Sequence, residues 1–270
     1  MTLSAAIHPS HSAGALVREW RQRRRLSQLA CALEAGISQR HLSFIEGGRA
    51  QPSRDMVLHL CEHLAVPLRE RNAILLAAGY APVFPERRLD DPALAPALSA
   101  VEMLLKGHEP YPALAVDRNW TLVRANRPVM ALLGLVADET LLALPVNVLM
   151  LTLAPGGLAP HIVNLAEWRA HVLERLRQQI SISGDQSLAR LRSTLMRLPG
   201  PPAPHPTDPA AFLGDVVVPL VLKTPAGVLS LISTTTVFGT PVDVTLSELA
   251  LETFFPADAA TATALKDLAS

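Results

Sequence analysis

Gln39 and Arg40 stand side by side in the segment Ser38-Gln-Arg-His-Leu-Ser-Phe-Ile-Glu46. A glutamine amide can pair with the edge of adenine through two hydrogen bonds, and an arginine fork can do the same with guanine. Each such pair discriminates by about 1–3 kcal/mol. Ser43 and Phe44 follow one helical turn later and share an outward face if Leu42 and Ile45 turn inward. Ser38, at the start of that turn, belongs to the same candidate surface. Gln28, in the first turn of the preceding segment, is placed to reach a phosphate, and Arg49 and Arg54 flank a loop that would lie over the other strand. Contacts of the latter kind fix register and carry no sequence information.

A second set lies in the rear half. Trp168, His171 and Arg175 recur at helical spacing and fit either a pocket wall with a polar handle or plain core and rim. Arg124 and Asn126 follow an expected strand; they could meet a ligand head group or simply sit at the surface. Two other patterns are weaker. His59-Leu-Cys-Glu-His63 matches an H-x-x-E-H metal motif, but it falls inside an expected helix without a third ligand, so no metal is expected. Ala154-Pro-Gly-Gly157 lacks the Lys-Ser/Thr of a phosphate loop and reads as a turn. The arginine run Arg21 to Arg25 is a solvated face or a backbone-contacting one.

The elements that must position the first set are short helices. Leu16, Val17 and Trp20 fall on one face of the first. Ser27, Ser38 and Ser53 stand where N-caps belong, since a serine hydroxyl can accept from a free amide of the next turn. Gly36 must take a positive φ to end the second helix. Ala32 must be small where two helices meet, and Ile37, Leu42 and Ile45 must plug the third helix into the core. Pro67 fits the start of a fifth helix running to about Ala78. The region 13–80 is thus expected to be an all-α, five-helix domain.

Residues 81–91 are rich in Pro, Arg and Asp and read as a linker. Region 92–270 mixes α and β. A helix from about Pro92 to Lys106 leads into a hairpin of Tyr111–Val116 and Trp120–Arg124. Short helices follow near Arg127–Leu135 and Val146–Leu151, then a longer one from Leu165 to Ile180 capped by Asn164, and another to about Leu198 capped by Asp185. Pro199–Pro209 reads as a loop. Val216–Leu222, Val228–Val237 and Val242–Leu249 read as strands, and a last helix begins at Asp258. Helices packed on an antiparallel sheet are the expected result.

Composition agrees with a globular chain: 270 residues, 49% hydrophobic, 4% aromatic. Net charge is zero but uneven. Residues 1–88 carry 12 Lys+Arg against 7 Asp+Glu (+5), and residues 89–270 carry 12 against 17 (−5). Only the front half is therefore suited to a polyanion. Cys31 and Cys61 form no CxxC pair and read as reduced core thiols. No signal-peptide run opens the chain, and the apolar stretch Val129–Ala159 is broken by Asp138, Glu139, Pro145 and Asn147. Both features point to a cytoplasmic protein without a membrane span.

At Leu26–Glu46 and Gly47-Gly-Arg-Ala-Gln-Pro-Ser53 the chain resembles the XRE/Cro-type helix-turn-helix regulators, which implies a lambda-repressor-like domain bound to a double-stranded DNA operator. Cys31 departs from the usual Leu of relatives. Leu68–Pro82, Asp117–Asn126 and Asn164–Arg169 resemble the narrower MmyB-like subgroup. That resemblance implies a PAS-like C-terminal domain sensing a small apolar, fatty-acyl-like ligand. No other cofactor is expected, and paired DNA-binding heads on two-fold-related half-sites call for a homodimer. Two alternatives are a rear domain that only dimerises and an enzyme carrying a DNA-binding head. No nucleophile elbow, metal cluster or phosphate loop favours the enzyme.

Overall fold

The computed structural model describes residues 12–201, 218–239 and 241–269. The N-terminal tail, most of the Pro199–Pro209 loop and the start of the strand expected at Val216 lie outside the described residues. The chain divides into two compact units: Met1–Arg87 with the short pieces Ser181–Ser183 and Pro241–Val244, and the remainder.

The first unit contains α1 (Ala13–Arg23), α2 (Gln28–Glu34), α3 (Gln39–Glu46), α4 (Arg54–His63) and α5 (Leu68–Ala77). Local chemistry sets the boundaries. Ser12, Ser27, Ser38 and Ser53 are extended N-caps whose hydroxyls accept from the amides of Ala15, Ala30, His41 and Met56. Each cap satisfies one amide that the first turn leaves free. Gly36 takes φ 62° after α2, a conformation that costs glycine nothing.

Val17, Trp20, Ala32, Leu42, Ile45 and Leu60 meet in one core, with Ile37 half-buried at its edge. At Gly14 a Cβ would lie 2.0 Å from the Ile45 carbonyl oxygen, so α1 touches the backbone of α3 there. Cys31 and Cys61 are buried free thiols in the same unit.

Among the described residues, the second unit is built on five antiparallel strands: β1 (Ala113–Val116), β2 (Leu122–Ala125), β3 (Leu220–Thr224), β4 (Gly227–Val237) and β5 (Ala250–Pro256), ordered β2-β1-β5-β4-β3. The period of two sorts their side chains onto two faces. Leu114, Val116, Leu220, Leu222, Leu229 and Leu231 enter the main core, while Ala113, Ala115 and Leu251 face Val101 and Leu105 of α6 (Ala95–Gly107). The first face is covered by α7 (Arg127–Leu133), α8 (Val148–Leu153), α9 (Leu165–Ser183) and α10 (Gln186–Arg197), which supply Val129, Leu149, Leu153, Trp168, Val172, Leu176, Leu188 and Leu195. The short α11 (Val244–Ser247) precedes β5, and α12 (Ala259–Ala269) packs beside β4.

Two local expectations are corrected. Val242–Leu249 is not a strand; it holds α11, and the last strand is Ala250–Pro256. Those seven residues pair with β4 throughout and with β1 over Ala250–Thr253, so two neighbours rather than local β-propensity choose the register. Asn164 does not cap α9 with its side chain. Its carboxamide instead accepts from the Val221 amide and donates to the Pro219 carbonyl, bridging to the start of β3. Asp185 does cap α10, accepting from the Ser187 amide at 2.7 Å. Among the described residues no helix is long and apolar enough to cross a membrane.

Candidate functional site

Helix α3 presents Gln39, Arg40 and His41 to solvent, with Ser43 and Phe44 half-buried beside them. The burial of Leu42 and Ile45 on the opposite side fixes this rotation. Phe44 serves as a platform: the guanidinium carbons of Arg40 and Arg49 lie 5.2 and 4.5 Å from its ring centroid. Cation–π contact holds two cations over one ring and narrows the orientations they sample. The loop is closed by the Arg49 and Ala50 amides, which both donate to the Phe44 carbonyl. The Ser38 hydroxyl is engaged as the cap of α3, and Arg54 is exposed at the first position of α4.

Beneath this face lies a buried charge network. Arg21 Nε and Nη2 donate to the two Glu46 carboxylate oxygens at 2.6 and 2.8 Å, and Arg21 Nη1 donates to the Leu26 carbonyl. The side chains are 9% and 2% exposed. The hydrogen bond to Glu46 raises the Arg21 pKa against the opposing cost of burial. Gln28 is the third member: its amide donates to Glu46 at 2.8 Å. The phosphate contact expected of Gln28 thus competes with an intramolecular partner. In the arginine run, Arg23 pairs with Glu19 and Arg24 donates to the Leu64 and Ala65 carbonyls at the end of α4. His59 Nε2 donates to the Ala35 carbonyl, and its ring meets His63 edge-on.

The second unit holds two adjoining cavities of about 50 and 70 Å³ that share Leu114, Val148, Thr152, Leu220 and Phe254. The larger is walled almost wholly by Leu, Val and Pro side chains. The smaller has one polar wall. There α9 places Trp168, His171 and Arg175, which stand 3 and 4 residues apart and so share a helix face. Trp168 and His171 stack at 5.4 Å. Arg175 makes a two-pronged contact with Glu252 of β5, one prong at 2.9 Å, and also donates to the Thr235 hydroxyl. The Arg175 guanidinium lies 4.5 Å from the Trp120 ring centroid, and the Trp120 indole nitrogen donates to Gln179. Burial, and next the Arg175 charge, push the His171 pKa below its ordinary 6.5. The Trp168 indole N–H is buried without a hydrogen-bond partner among the described residues.

Three of the five rear residues singled out from sequence therefore meet at one cavity. The other two do not join them. Arg124 is exposed and pairs with Glu102 at 2.9 Å. Asn126 is buried, but its carboxamide is consumed by backbone: it accepts from Ala113 and Val129 and donates to Leu105 and Tyr111. It caps α7 and ties that helix to β1. Sequence reasoning missed Glu252, Ser233, Thr235 and the partnership with Trp120. One signal was available: Glu252 is a lone carboxylate in Ala-Leu-Glu-Thr-Phe-Phe255, with the parity that turns Phe254 toward the cavity.

Comparison with known families accounts for both units. A family model described as "MmyB-like transcription regulator ligand binding domain" matches residues 98–268, and one described as "Helix-turn-helix domain" matches residues 12–74. A search of curated proteins returned no match to the chain.

Proposed function

The chain belongs to the MmyB-like transcription regulator family, and we propose that it switches operator binding in response to a small, fatty-acyl-like ligand held in its second unit. The coarser statement needs no proposal: this is a transcription regulator with a helix-turn-helix DNA-binding domain and a ligand-binding domain. The observation that carries the finer reading is the pair of adjoining cavities, one apolar and one with a polar wall. An amphiphile would lay its tail against the Leu and Val side chains and its head beside Trp168, His171 and Arg175. On the DNA side, Gln39 and Arg40 would meet base edges, with Ser43 and Phe44 next to them. Ser38, Arg49, Arg54 and, if it leaves Glu46, Gln28 would serve the backbone.

The regulatory step requires that the ligand bind two arrangements of the protein with unequal affinity, since only that difference can shift their populations. In a homodimer the two α3 helices must sit about 34–36 Å apart to enter successive major grooves, so a change in their spacing changes operator affinity. The linker 81–91 would carry that change, and the protein would act in the cytoplasm without a cofactor beyond the ligand.

Native mass spectrometry of the purified full chain tests this. A dimer retaining one small molecule per protomer is expected. A bare dimer that takes up no amphiphile would leave dimerisation as the rear unit's role, and turnover of an added metabolite would revive the enzyme alternative.

A further inference from the structure

The polar wall of the smaller cavity is nearly complete in itself. Glu252 is 3% exposed, and its carboxylate is held by both prongs of Arg175 and by the Thr235 hydroxyl, which donates to it at 2.9 Å. The guanidinium therefore faces the cavity already neutralised. The pKa of His171, beside it, is lowered by burial and then by the Arg175 cation. Among the described residues, no cation on this wall is left without a carboxylate partner to meet an anion, and the Glu252 carboxylate would repel one. Uncharged donors line the cavity instead: the His171 ring and the Ser233 hydroxyl border it, and beside them the indole N–H of Trp168, a residue 6% exposed, is buried with no partner among the described residues. A buried donor without a partner costs about 1–3 kcal/mol, a cost that an acceptor placed there removes.

From this arrangement we infer that the cavity selects an uncharged amphiphile with a hydrogen-bond acceptor at its head, an ester, amide, aldehyde or alcohol, over the corresponding free carboxylate. The acceptor takes the Trp168 N–H, and the tail follows the apolar wall shared with the larger cavity. A carboxylate would have to displace Glu252 from Arg175 and leave that acid buried and unpaired, which is strongly unfavourable. The inference rests on the ligand-sensing reading above and narrows its ligand class.

The test uses the full chain and three probes of one tail length, methyl octanoate, 1-octanol and octanoate, at about pH 7.5, with binding followed by tryptophan fluorescence and thermal shift. The ester and the alcohol should bind about tenfold or more tightly than octanoate. Trp168→Phe should weaken the ester about tenfold while leaving octanoate weak, because it removes the donor and keeps the ring. Glu252→Gln should narrow the gap by admitting octanoate. Octanoate binding as tightly as the ester to the unaltered chain would overturn the inference while leaving the ligand-sensing reading intact. So would a Trp168→Phe chain that folds normally, by its melting curve, and keeps full affinity for the ester. Saturable binding of none of the three would overturn the sensing reading and the inference with it.

Discussion

Arg40 and His171 are the residues at which the account is most exposed to test. Arg40 stands over Phe44 at the start of the exposed face of α3. A guanidinium paired to one base is worth about 1–3 kcal/mol, so Arg40→Ala should weaken binding to a selected operator by that amount and relax preference at one position. If Arg40→Ala and Gln39→Ala together leave affinity and preference unchanged, another face of the unit docks. His171 bears on pH. Its pKa is lowered in the folded protein by burial and then by Arg175, so the unfolded chain binds its proton more readily. The stability it contributes is full above its ordinary value of 6.5 and falls as pH drops from there through the lowered folded value. Denaturant midpoints between about pH 7.5 and pH 5 should decline for the unaltered chain and decline less for His171→Gln; identical slopes would remove His171 from the account. At this scale the sequence was informative where chemistry is local. Trp168, His171 and Arg175 share one helix face and could be grouped by spacing. Glu252, 77 residues from Arg175, could not.

At the scale of elements, helix α3 depends on what lies under it. Glu46 ends α3 and binds Arg21 of α1 and Gln28 of α2, so one carboxylate sets three helices against one another. Removing it would leave a buried guanidinium unpaired. Glu46→Ala should therefore cost about 3–5 kcal/mol in urea unfolding, although it deletes no apolar contact of note. A loss below about 1 kcal/mol would mean that water takes over the role of the carboxylate. The serine caps, Gly36 and the inward Leu42 and Ile45 were readable because each answers a need within four residues. Gln28, Asn126 and Asn164 were read as facing outward, toward a ligand, or as a cap. Their other partners, Glu46, Leu105 and Val221, lie 18, 21 and 57 residues away. The last strand was placed too early for the same reason. Val-Asp-Val-Thr-Leu is β-prone, but the strands on either side of Ala250–Pro256 decide which residues pair.

For the whole molecule, the charge asymmetry and the two family matches assign the polyanion to the front unit and the ligand to the rear one. A regulator of this kind works only if the two events are coupled. The most direct test measures operator affinity of the full chain by fluorescence anisotropy, using a duplex selected from a random pool. The protein is compared as purified, after any bound small molecule has been stripped, and after that molecule has been restored. The expected coupling is about 1–3 kcal/mol, a roughly 5- to 150-fold change in affinity that restoration reverses. Identical affinity in all three states, with the ligand shown to bind, would contradict a ligand-controlled switch.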